Sequence, residues 1–79
     1  MKKITTVTTV LYFDLVIRGK GYNLCHTTAF NQRAAAELHA RDTQACYENA
    51  LVAARERFDD DKIINPEIGE IIIQTVDLW

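Results

Sequence analysis

Two thiols and two imidazoles, Cys25, His26, His39 and Cys46, are the right number of donors for a zinc ion. Structural zinc sites usually present ligands in pairs two to four residues apart. Here the only close pair, Cys25-His26, is adjacent in sequence, and adjacent strand residues point to opposite faces. The same four residues offer the parts of a cysteine–histidine nucleophile. No thiol is predicted at a helix N-terminus beside a histidine, where the thiolate would be stabilised. Asp59-Asp60-Asp61 with Glu67 and Glu70 imitates a calcium loop. Counted from Asp59, however, the place for the sharp-turn glycine holds Ile64, and a ligand position holds Ile63. Gly19-Lys20-Gly21 is too short to cradle a phosphate. The sequence predicts no catalytic residue, no metal ligand and no cofactor, and the chain is not read as an enzyme.

Charge gives two binding patterns to weigh. Residues 1–41 hold six basic groups against Asp14 and Glu37, while residues 42–79 hold Arg55, Arg57 and Lys62 against nine acidic groups. Glu56, Asp59, Asp60, Asp61, Glu67 and Glu70 lie close in sequence around the predicted end of a helix. Such a cluster is able to occupy a basic groove meant for phosphates. Its plainer role is solubility. Lys2, Lys3, Arg18 and Lys20 are the candidate contacts to a nucleic-acid backbone, but four scattered cations make a weak footprint.

Seventy-nine residues, 48% of them hydrophobic, make one small domain with a thin stability margin. Met1-Lys2-Lys3 begins like an export signal, but the threonines that follow and Asp14 interrupt any apolar segment. No stretch has the roughly 18 apolar residues of a membrane helix. The expectation is a cytoplasmic protein with reduced cysteines.

The elements that position these residues are read from periodicity. Ile4 to Arg18 is rich in Val, Thr, Tyr and Phe and predicts a first strand. Gly19-Lys20-Gly21 predicts the hairpin turn, and Tyr22 to Ala29 the second strand. Residues 33–41 satisfy two patterns. Ala34-Ala35-Ala36 favours helix, yet Ala34, Ala36, Leu38 and Ala40 alternate with Arg33, Glu37, His39 and Arg41 as in a half-buried strand. One continuous helix over 31–58 fails in phase, because Leu38 would share its stripe with Arg41 and Asp42. A third strand is therefore preferred. Asp42 is a good N-cap for a helix from Thr43 to Phe58. Tyr47, Ala50, Leu51, Ala54 and Phe58 recur at helical spacing as its buried stripe, widened by Cys46 and Ala53. Asn65-Pro66 forces a turn or extended geometry, and a last strand runs from Glu70 onward.

The expected fold is α+β, with order β-β-β-α-β. One mixed four-stranded sheet in order 4-1-2-3 packs on one main helix, and the last strand lies beside and parallel to the first. The first strand is apolar on both faces. Val7, Leu11, Phe13, Leu15 and Ile17 share one, and Val10, Tyr12 and Val16 the other. A single helix covers one face only. The second face, with Ile71, Ile73 and Trp79 contributed by the last strand, is then a candidate partner surface. The competing reading is that residues 30–41 or 59–69 wrap over it.

The run Leu38-His39-Ala40-Arg41-Asp42-Thr43-Gln44-Ala45 resembles the step from strand through cap to helix in small phage-encoded inhibitors. With its length and acidity, the chain is similar in format to anti-CRISPR proteins. That resemblance implies a protein partner, such as a CRISPR or other nucleic-acid-binding complex, bound by surface complementarity or charge mimicry. It carries no motif and assigns no residue. The expected function is thus a non-enzymatic protein-binding module. A small nucleic-acid-binding domain and a homodimer paired through its open sheet face are the alternatives.

Overall fold

The residues of Lys3–Leu15 alternate buried and less buried side chains along almost their whole length, and they form the central strand, β1. This computed structural model describes residues 2–59 and 62–78. β2 spans Gly19–Phe30 and β3 spans Ile63–Asp77. Between them lie α1, Arg33–Arg41, and α2, Thr43–Arg57. Both neighbours of β1 are antiparallel to it, in sheet order β2-β1-β3.

The fold is α+β, as expected, and the first strand is central. The β-β-β-α-β order, the four-stranded mixed sheet and the parallel last strand are overturned. Residues 33–41 are helix. Alanine propensity prevails because Ala36 and Ala40, one helical turn apart, turn toward the sheet, and Ala36 is fully buried. The phase conflict disappears because the helix is interrupted at Asp42. α1 and α2 each keep their own phase, and Leu38 simply faces outward at 71% exposure. A helix at this point also reverses the last strand. α2 starts over Val7, through Cys46, and reaches Leu15 and Phe13 through Ala54. β3 therefore begins opposite Leu15 and runs back to Lys3.

Asp42 caps α2 as expected, its carboxylate accepting a hydrogen bond from the Ala45 N–H at 3.1 Å. Cys46, Ala50 and Ala54 form the fully buried stripe of that helix. Small residues let its axis approach the sheet closely, and β1 supplies the bulk. Leu11, Phe13 and Leu15 pack there with Tyr22, Leu24, Tyr47, Leu51, Phe58 and Ile63. Each of the large buried side chains contributes roughly 1.5–3 kcal/mol by removal from water. A second cluster joins Val7, Ala36 and Cys46 to Phe30, Ile71 and Ile73. α1 is tied to β3 by Arg33, whose Nη1 donates to Thr75 Oγ1 at 2.8 Å.

The hairpin turn is Val16–Arg18, one step before the glycines. Gly19 and Gly21 have positive φ, 116° and 84°, inside an irregular start to β2. Gly21 N–H donates to Asp14 Oδ1 at 3.1 Å, and Asn65 Nδ2 donates to Asp14 Oδ2 at 3.2 Å. One carboxylate on the central strand thus holds both neighbouring strands where each departs from regular register. Asn65 itself is left-handed, with φ 54°.

Candidate functional site

Both helices pack on the same face of the sheet. Register then fixes what lies on the other. Ile4, Thr6, Thr8, Val10 and Tyr12 alternate with the buried residues of β1. Their partners on β2 are Ala29, Thr27, Cys25 and Asn23, and on β3 they are Val76, Gln74, Ile72, Glu70 and Glu67. Among the described residues no segment crosses this face. Residues 31–41 belong to the helix side and residues 62–69 to the edge of the sheet, so neither wraps over it.

The expected face therefore exists, but with different members. Tyr12 is 47% exposed and Val16 lies beyond the regular ladder, also exposed. Val10 is on this face but closed over by its neighbours, at 9%. Ile71 and Ile73 are a correction, since they pack toward the helices with Val7, Ala36 and Cys46. Ile72 and Val76 stand in their place at 43% and 38%, and Leu78 continues the same alternation at 46%. The error is one of parity. Register with β1 decides it: Ile71 and Ile73 lie opposite Thr9 and Val7, on the helix side, while Ile72 lies opposite Thr8 on the open side. Trp79 lies outside the described residues.

The centre of the face is polar. Thr8 and Thr27 share a hydroxyl–hydroxyl bond of 3.0 Å, and Thr6 Oγ1 donates to the Gln74 carbonyl at 3.4 Å. The face thus holds apolar residues around a threonine row, with Glu67 and Glu70 along its β3 border.

The acidic group expected as one surface is divided. Glu56 is exposed on α2 and Asp59 follows that helix, whereas Glu67 and Glu70 share the open face with Tyr12 and Val10. The sheet lies between the two sets because β3 presents these carboxylates away from the helices. Asp60 and Asp61 lie outside the described residues. The basic group is divided as well. Lys2 and Lys3 stand at one end of β1, while Arg18 and Lys20 follow its other end. A 13-residue strand spans about 43 Å, so no single phosphate backbone contact unites them.

Cys25 and Cys46 are free thiols on opposite faces of the sheet, exposed and buried respectively. The Cys46 thiol donates to the His39 carbonyl at 3.4 Å, and the His39 ring packs against Phe30. Among the described residues no group of three or more metal-ligating side chains comes together. No helix of the described residues is long and apolar enough to cross a membrane.

Sequence reasoning missed a groove on the helix side. It has a volume of 730 Å³ and runs between β2 and the end of α2, lined by Tyr22, Leu24, Ala53, Arg57 and Phe58 and by the strand at Asn23 and Cys25. The guanidiniums of Arg18 and Arg57 both lie over the Phe58 ring, 5.8 and 5.9 Å from its centroid. The missing signal was pairing. Only once β2 is known to be an edge strand does its flank become a surface.

Comparison with protein-family models, with curated proteins and with solved structures found no match for this chain.

Proposed function

We propose that this chain is a non-enzymatic protein-binding module whose open sheet face docks a partner protein. One observation carries the reading. The helices lie on one side of the sheet, so Tyr12, Ile72 and Val76 stand exposed on the other with no described segment above them. Apolar side chains displayed on a sheet contribute to binding by leaving water, and strands paired on both sides of β1 lose little freedom on docking. Glu67 and Glu70 border the patch and favour a partner with a basic rim. A nucleic-acid-handling complex, which carries basic grooves, is the class of partner that fits this border. The format of small phage inhibitors agrees with that choice but adds no residue to it. We place the protein in the cytosol, where Cys25 and Cys46 remain thiols.

The test compares the unaltered chain with Ile72→Glu and Val76→Glu. Each variant keeps the helix-side core, so its circular dichroism should be unchanged. Partner captured from host extract by the unaltered chain should be lost by both variants, and Glu67→Lys with Glu70→Lys, made in the otherwise unaltered chain, should weaken capture most at low salt. Loss of the fold in Ile72→Glu would make the face a core, and undiminished capture would remove it from the interface. Binding to RNA or DNA that falls steeply with salt would favour the nucleic-acid alternative. A mass that halves in Ile72→Glu would favour the homodimer.

A further inference from the structure

The sheet has two edges, and they are built differently. β3 carries Pro66, irregular pairing at Gly69 and around Asn65-Pro66, and the charges of Glu67, Glu70 and Asp77. Proline, bulges and charges are the devices by which proteins keep an edge from pairing with another chain. β2 is 12 residues long, has no proline, and has Lys20 near one end as its only charged residue. Among the described residues its backbone bonds only to β1, so alternate N–H and C=O groups point outward along its free edge. The groove of 730 Å³ lies along this edge, floored by Tyr22 and Leu24 and walled by Ala53, Arg57 and Phe58 of the helix side. Ala53 leaves the wall low. Arg57 has no carboxylate within ion-pair distance among the described residues, and only the Phe58 ring holds it.

We propose that this groove binds an extended, acidic peptide segment of a partner protein. The segment adds to β2 as a fourth strand, seats an apolar side chain against Tyr22, Leu24 and Phe58, and pairs a carboxylate with Arg57. Main-chain bonds to the edge supply affinity, and the alternate side chains supply selection. The carboxylate requirement follows from charge. A guanidinium held over a ring face by its charge leaves its fork of N–H donors available to a bidentate acceptor. A second copy of this chain does not meet the requirement by pairing β2 with β2, since that strand has no acidic residue to offer Arg57. The site is independent of the open face, which lies across the sheet.

The test uses a library of random dodecapeptides displayed on phage, panned on the full chain. Acidic, apolar-alternating sequences should be enriched. One of them, made synthetically, should shift the backbone amide resonances of residues 19–30 and 53–58. Its affinity should fall about tenfold in Arg57→Gln and further in Arg57→Glu. Arg57→Gln keeps the side-chain stem, and its amide spectrum reports whether the fold survives. Ile72→Glu, on the opposite face, should bind the peptide as the unaltered chain does, so failure of the open-face reading leaves this one standing. The proposal is overturned if no peptide is enriched, if the enriched peptides lack acidic residues or bind Arg57→Gln equally, or if the shifts map to the open face. It is also overturned if the chain alone is a dimer whose β2 amides are already protected from exchange.

Discussion

The ring of Tyr12 lies directly over Gly69, so that a methyl group built on that glycine would overlap the ring atoms. The tyrosine covers the backbone of its neighbouring strand where the extra residue breaks the ladder. Gly69→Ala should displace the ring and cost about 1–2 kcal/mol, the low end of what overfilling costs, because the half-exposed ring has room to move. In a Tyr12→Ala background the same change should be nearly free. Urea unfolding of the four proteins in this cycle should give a coupling equal to that cost, about 1–2 kcal/mol.

Asp14 should make stability depend on pH. The Asn65 amide and then the Gly21 N–H hold its carboxyl below its ordinary value of 3.8, against an opposing effect of desolvation, with Lys20 adding the smallest contribution. The folded state therefore favours the carboxylate. Its contribution is full above the unfolded-state pKa and is lost as pH falls through the lower folded value. The stability difference between the unaltered chain and Asp14→Asn should be constant above about pH 5 and shrink below it. A series of urea unfolding curves at descending pH checks this. A constant difference down to the acid limit would remove Asp14 from the account.

The helix interface is built on small residues, so it should resist enlargement. Ala54→Leu should cost about 1–3 kcal/mol by pushing α2 off Leu11 and Leu15. Leu11→Ala, at a fully buried site, should cost about 2–5 kcal/mol, enough to unfold a domain of this size. Leu38→Ala, at an outward position of α1, should stay within about 0.5 kcal/mol. Thermal and urea unfolding rank the three.

The thiols should differ in reactivity. Cys25 is exposed and Cys46 is 1% exposed with its thiol bonded to a carbonyl. A chromogenic disulfide should modify one equivalent quickly in the native chain and the second only at the rate of unfolding. Cys25→Ser should abolish the fast phase.

Much of the fold was legible where one element decides the matter locally. The Asp42 cap, the Ala50 and Ala54 stripe and the two-faced first strand follow from spacing alone. Residues 33–41 were not legible, because Ala34, Ala36, Leu38 and Ala40 satisfy the period of a strand as well as the composition of a helix. What settles the matter is Ala36 beneath Val7, a contact between residues distant in sequence. The open face was legible as a surplus of apolar residues on β1. Its β3 members were not, because which isoleucines face outward depends on the register with β1, where Ile73 lies opposite Val7 and Ile72 opposite Thr8. The groove beside β2 was hidden until strand order showed β2 to be an edge.

The pairing of Lys3 with Asp77 at one end of the β1–β3 ladder, and of Leu15 with Ile63 at the other, has a mechanical consequence. Tension applied between residues 3 and 77 loads a single rung, since the bonds of an antiparallel ladder lie across the strands. The rungs then give way in succession, as in a zipper. Tension between residues 3 and 63, at opposite ends of the same ladder, would load all of them together in shear. The domain is therefore soft along one pulling direction and stiff along another, whatever its equilibrium stability.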